Sequence, residues 1–289
     1  MSGISWISNS LTFDDNFKFL IPFSLILIPL FLSLFISIPL VLVGPYLKFD
    51  FSSIIIFSAS LAFSDYLRAK ILTGFPWNLW AYSTTWLTEI LQIINLTGFF
   101  SYNLFAITIF VLPIILFFKI SNLKKIIFFV FISSTILSLY IYGNYQINKN
   151  YKILKNNNEK IFVKIISPNF NLKYGLDKKE IEKRLIKLIR YSDPNKDKRT
   201  LFIWPEGVFS GYSYNEVSIF KDLVSKNFSK NHHIIFGVNK LDPVTGDFYN
   251  SMLLIDNNFE VIQSYFKRKL VPFGEFLPFE NLLNKFGLK

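Results

Sequence analysis

The chain has 289 residues, 51% of them hydrophobic and 34 of them phenylalanine, with a mean hydropathy of +0.36. This excludes an ordinary soluble domain and places part of the chain in lipid. Cysteine is absent, which excludes a disulfide framework and a thiolate metal site. The net charge of +11 is unevenly spread: seven basic and five acidic residues precede Lys149, so the totals of 31 and 20 leave 24 and 15 for the remainder. The two parts carry +2 and +9, and a boundary falls near 148–158.

Four uncharged windows approach the ~20 residues that a spanning helix needs. They are Phe19–Leu47, Phe51–Ser64 with an extension through Tyr66 and Leu67, Ile90–Phe118, and Ile126–Ile147. Pro39 either ends the first helix or only kinks it, because neighbouring helices can rescue a lost hydrogen bond. The loop KISNLKK holds Lys119, Lys124 and Lys125 and no acid, which reads as cytoplasmic. The fourth span then leads outward. By alternation, the loop Asp65–Glu89 and everything after about Asn148 lie outside the inner membrane. The start, MSGISWISNS, lacks the basic residues of a signal peptide.

After the linker INKNYKILKNNNEK, strand and helix patterns alternate. KIFVKIIS (160–167) and TLFIW (200–204) read as strands. DKKEIEKRLIKLIR (177–190) is an amphipathic helix with Ile181, Leu185, Leu188 and Ile189 on one face. NEVSIFKDLVSKNF (215–228) reads as a second helix capped by Asn215. HIIFGV (233–238), NSMLLID (250–256) and FEVIQSYF (259–266) are further strands, the last two joined as a hairpin at Asn257 and Asn258. The expected organisation is a helical membrane region over 1–148 and an α/β layered domain over 149–289.

Few residues of the second half suggest chemistry by type alone. His232 and His233 are adjacent, but without further His or Cys they make a poor metal site and read as a solvated or strand-edge pair. The lysines are scattered among Asn and Ile with no Arg cluster, so no nucleic-acid partner is expected, and no metal or cofactor. Glu206 in IWPEG and Lys267 after the strand ending at Phe266 lie just past strand ends, where layered α/β folds place chemistry. From position alone they read more plainly as a loop-capping acid and a surface lysine.

Longer motifs narrow this. IWPEGVFSG, GVNKLDPVTGDFYNSMLLID, YFKRKLVPFGEFLP and, upstream, LRAKILTGFPWNLWAYS resemble, in order and spacing, the bacterial apolipoprotein N-acyltransferase family. These are membrane-embedded members of the nitrilase, or carbon–nitrogen hydrolase, superfamily. The resemblance implies an α-β-β-α sandwich domain, C-terminally incomplete here, on the periplasmic side of a multi-pass inner-membrane protein. It implies a Glu-Lys-Cys triad, with Glu206 as general base, Lys267 facing the oxyanion, and Glu275 as a further carboxylate near the site. Gly74, Phe75, Pro76 and Trp77 match the loop lining the lipid entry, although Trp77 and Trp80 read equally as interfacial anchors. Tyr174 stands where the family usually has tryptophan. The implied partners are a phospholipid acyl donor, a diacylglyceryl apolipoprotein acceptor and membrane lipid, with the protein acting as a monomer.

The nucleophilic cysteine is missing. In the family it follows the PFGE segment by some tens of residues, and the chain resembles a fragment lacking both ends. Two other readings compete with the acyltransferase. One is a membrane-tethered amidase, which needs no TGFPW loop. The other is a non-catalytic lipid- or lipoprotein-binding membrane module, which the missing cysteine favours and the retained acids and lysine disfavour.

Overall fold

The computed structural model describes residues 2–12, 15–48, 50–71, 74–156, 161–171 and 175–270. The chain divides into two compact units, Met1–Asn156 and Asn157–Lys289.

The first unit is helical. After short 3-10 segments come α1 (Ile21–Val43) and α2 (Phe51–Arg68), the short turns α3 (Thr88–Leu91) and α4 (Ile94–Thr97), then α5 (Phe99–Val111) and α6 (Asn122–Asn156). Among the described residues, three stretches are long and apolar enough to cross a membrane: Phe17–Tyr46, Phe99–Phe117 and Asn122–Lys155. The sequence led us to expect four. The second, α2, falls short because five serines dilute its apolar run and Asp65 and Arg68 pair in its last turn. The expected span from Ile90 instead begins at Phe99, because Gly98 takes φ 80° and interrupts the helix before it. The last helix continues through Asn148 to Asn156.

Pro39 neither ends α1 nor leaves it unsatisfied. Lacking an N–H, Pro39 cannot bond the carbonyl of Phe35 four residues back. The Ser64 hydroxyl of α2 donates to that carbonyl instead. One inter-helix hydrogen bond thus repairs the α1 ladder, as expected where no water is present to do so. Close packing recurs at Gly143 of α6, where a Cβ would lie 1.7 Å from the Glu89 carbonyl oxygen of α3.

The second unit is a five-stranded mixed sheet in the order β1 (Phe162–Ile165), β2 (Thr200–Ile203), β3 (His232–Leu241), β4 (Phe248–Ile255), β5 (Val261–Phe266). The first three strands run parallel, and β3–β4–β5 is antiparallel. One face carries Phe202, Ile234, Phe236, Leu253 and Ile255, buried with Ile181, Leu185 and Leu188 of α7 (Lys178–Ser192). Asp177 caps α7 by accepting from the Glu180 N–H at 2.7 Å, and Asp193 ends it in the left-handed region. The expected helix over 215–228 is broken into α8 (Tyr214–Val217), a 3-10 turn and α9 (Lys221–Asn227). Its cap is Ser213 rather than Asn215, since Glu216 returns to the Ser213 N–H at 2.8 Å and completes a capping box. Those hydrogen bonds hold the Glu216 carboxyl below its usual range.

His232 is buried, not solvated or at a strand edge. Its Nδ1 accepts from the Ser229 N–H at 3.0 Å, so Nε2 carries the proton and donates to the Asn195 carbonyl at 2.8 Å. Both ring nitrogens are occupied in holding loops, and no metal-binding cluster exists among the described residues.

Candidate functional site

Strand alternation decides which residues share a surface. On β3 the buried face holds His232, Ile234, Phe236 and Val238, so Gly237 and Asn239 belong to the opposite, open face. Asn250 pairs with Asn239 across β3 and β4, and therefore lies on that face too. The β4–β5 register, Ser251 against Phe266, sets Lys267 opposite Asn250. The Lys267 N–H donates to the Asn250 carbonyl at 2.9 Å, which extends the ladder by one residue past the named strand.

Glu206 reaches the same face from the loop after β2. Gly207 follows it with φ 74°, a conformation glycine adopts without strain. Its side chain lies over Gly237, where a Cβ would meet Glu206 Cγ at 3.1 Å. Any larger residue at 237 would displace the acid. The Asn250 side-chain amide then donates to Glu206 Oε1 at 2.9 Å. One asparagine thus bonds Glu206 through its side chain and Lys267 through its backbone. The two ends, more than sixty positions apart in sequence, are brought to one patch of the sheet. Glu206 is exposed and Lys267 half-buried.

Sequence reasoning singled out Glu206 and Lys267, and the structure places them together. It did not single out Asn250, whose only signal was its place inside a longer motif. Glu275 and Tyr174 lie outside the described residues. Glu206 through its carboxylate and Lys267 through its backbone thus meet the same residue, Asn250, on the open sheet face; a carboxylate there can accept a proton and a lysine can stabilise an anion.

The loop holding Gly74, Phe75, Pro76 and Trp77 belongs to the helical unit and is fixed by a polar network. Arg68 donates to Asp65 Oδ1 at 2.8 Å and to the Trp77 carbonyl at 2.8 Å. Buried Asn103 of α5 donates to Asp65 Oδ2 at 2.9 Å and accepts from the Ala81 N–H at 2.9 Å. Gly74 has φ 91°, and a Cβ there would strike the Ala69 carbonyl oxygen at 2.2 Å. The loop can therefore close on α2 only with glycine. Trp77 stays half exposed and packs against Trp6, with ring centroids 5.3 Å apart.

A family model described as the apolipoprotein N-acyltransferase N-terminal domain matches residues 1–112. A protein named apolipoprotein N-acyltransferase from Rhodopseudomonas palustris is 27% identical over 300 residues, covering 99% of this chain and 55% of its own length. That of Rickettsia prowazekii is 28% identical over 291 residues, covering 98% and 56%, and that of Brucella melitensis is 25% identical over 301, covering 100% and 55%. The chain spans about half the length of these curated relatives. The crystal structure of an N-terminal amidase aligns over 38% of the chain and 28% of its own at 20% identity, with a TM-score of 0.27, too low to argue a shared fold. The chain is thus similar to the apolipoprotein N-acyltransferases, to their N-terminal domain over residues 1–112 and along nearly its whole length to individual proteins of that name.

Proposed function

We propose that the chain forms part of a phospholipid-dependent N-acyltransferase that acts on the N-terminal diacylglyceryl-cysteine of apolipoproteins. The observation that carries this is the Glu206–Asn250–Lys267 arrangement, in a chain whose relatives bear that name. In this reading Glu206 takes the proton of a cysteine thiol, and the thiolate attacks the sn-1 ester carbonyl of a phospholipid. Lys267 faces the oxyanion of the tetrahedral intermediate. The lysophospholipid leaves with the proton, and Glu206 next deprotonates the incoming α-amine, which displaces the thiol. Glu275 supplies a further carboxylate, and Tyr174 and the Gly74–Trp77 loop border the substrates.

The sheet then belongs to a nitrilase-like α-β-β-α domain, read as residues 149–289 after a membrane region over 1–148. The domain faces the periplasm, with the chain anchored in the bacterial inner membrane. The 289 residues hold no cysteine, so by themselves they form no acyl-enzyme.

The test joins this chain in frame to the remaining C-terminal part of a relative, where the family pattern expects the cysteine. N-acylation of a diacylglyceryl lipopeptide by the resulting membranes is then measured. Glu206→Gln and Lys267→Ala should each lower transfer by roughly 10²–10³ at unchanged membrane level. Transfer that survives both substitutions sinks the triad, and leaves the non-catalytic lipid-binding module as the better reading.

A further inference from the structure

An apolar groove of about 510 Å³ lies in the helical unit between α2 and the α5 end, lined by Leu47, Ile54, Phe57, Phe110, Ile114 and Phe117 among others. Its origin is local. Pro113 turns the end of α5 into the 3-10 segment Leu112–Phe117, which rotates successive side chains away from helical spacing. Ser53 is the one polar residue among its walls. That hydroxyl is buried and engaged, donating to Asp50 Oδ1 at 2.8 Å and accepting from the Lys48 N–H at 2.7 Å. The walls are therefore otherwise apolar, and this polar cluster lies where the groove meets the start of α2.

The segments that border the groove also carry cations. Lys48 follows groove residue Leu47, Lys119 follows groove residue Phe118, and Lys124 begins the next helix. Phe118 packs on Phe51 and Phe51 on Phe128, at 6.1 and 5.0 Å between ring centroids, which ties these segments to one end of α2. All three lysines are exposed, and none forms an ion pair among the described residues. Lys125 is turned back to the Leu116 carbonyl at 2.7 Å. The acid at this end, Asp50, is committed to Ser53 and to the start of α2.

We propose that this groove seats one acyl chain of an anionic phospholipid whose phosphate is held by Lys48, Lys119 and Lys124. Hydrophobic length within the membrane selects an acyl chain, and three exposed ammonium groups on the segments that border the groove select negative headgroup charge. The site is separate from the Trp77 loop. That loop is tied to Asp65 and Arg68 at the far end of α2, whose 18 residues span roughly 27 Å. The bound lipid is a resident of the helical unit and does not depend on the acyl-transfer reading.

Native mass spectrometry of the intact chain in detergent, titrated with phosphatidylglycerol or phosphatidylcholine of matched acyl chains, tests this. The chain should retain one phosphatidylglycerol in clear preference to phosphatidylcholine. The Lys48→Gln, Lys119→Gln, Lys124→Gln triple variant should lose about 10²-fold of that preference, from ~1 kcal/mol per lysine. Ile114→Trp, at an exposed groove wall, should fill the groove and weaken both lipids. Equal retention of the two lipids by the unaltered chain overturns the proposal. So does an unchanged preference in the triple variant, or an Ile114→Trp chain that binds as before.

Discussion

Asn250 donates its side-chain amide to Glu206 Oε1 at 2.9 Å, while its carbonyl accepts the Lys267 N–H at the same distance. It is the joint through which the acid after β2 and the lysine after β5 share one surface. Removing the amide frees Glu206 to swing on an exposed loop. In the cysteine-restored protein, Asn250→Ala should lower lipopeptide acylation by about 10²-fold, as for a reacting group misplaced by an ångström. Asn250→Asp should cost more, since it sets a second carboxylate against the first. Full transfer in both variants would remove Asn250 from the site.

Gly237 sets the floor under Glu206. A methyl there would approach Cγ, Cα and Cβ of Glu206 at 3.1, 3.2 and 3.3 Å, closer than those atoms tolerate without movement. Gly237→Ala should displace the loop, destabilising the sheet unit by about 1–3 kcal/mol and reducing acylation beyond its effect on stability. Thermal melts beside a single-turnover assay separate the two effects.

Two serines of α2 should behave in opposite ways. Ser64 supplies the hydrogen bond that Pro39 denies to the Phe35 carbonyl, so Ser64→Ala should cost about 0.6–1.7 kcal/mol in the membrane. In a Pro39→Ala background the helix bonds that carbonyl itself, and the same change should become nearly neutral. The buried hydroxyl of Ser58 has no partner among the described residues, so Ser58→Ala should be neutral or stabilising. Steric-trap or denaturant unfolding in detergent measures all four variants.

Asn103 holds both Asp65 and the Ala81 N–H. Asn103→Leu strands those two groups and should destabilise by about 1–3 kcal/mol for each. It should also open the loop 74–84 to proteolysis while leaving the sheet unit protected. If Trp77 borders the lipid path, Trp77→Ala should slow acyl-enzyme formation; if it serves only as an interfacial anchor, insertion or stability should fall instead.

Topology has its own measurement. Since the chain lacks cysteine, single cysteines placed at the exposed positions 121 and 199 report sidedness without background. Residue 199 should react with an impermeant reagent from outside and 121 should not. Labelling of 199 from the cytoplasmic side would reverse the orientation read from Lys119, Lys124 and Lys125.

The sequence by itself determined what depends on local composition and period. Apolar windows located helices, because lipid solvation sums over consecutive residues. The spacing of Ile181, Leu185 and Leu188 located α7, and β-branched runs located the strands within a few positions. The longer motifs, by their family resemblance, also singled out Glu206 and Lys267. Other features were decided by partners distant in the chain. Whether Pro39 ended α1 depended on Ser64 of another helix, and how Asp65 and Arg68 of α2 are satisfied depended on Asn103 and the Trp77 carbonyl. His232 could not be known as a buried loop anchor until the register of β2 and β3 placed Asn195 and Ser229 around it. Asn250 carried no signal of its own, because its role arises from pairing across two strands and reaching a third segment. Hydrogen bonds between segments are set by register and packing, and neither is written in the period of a single segment.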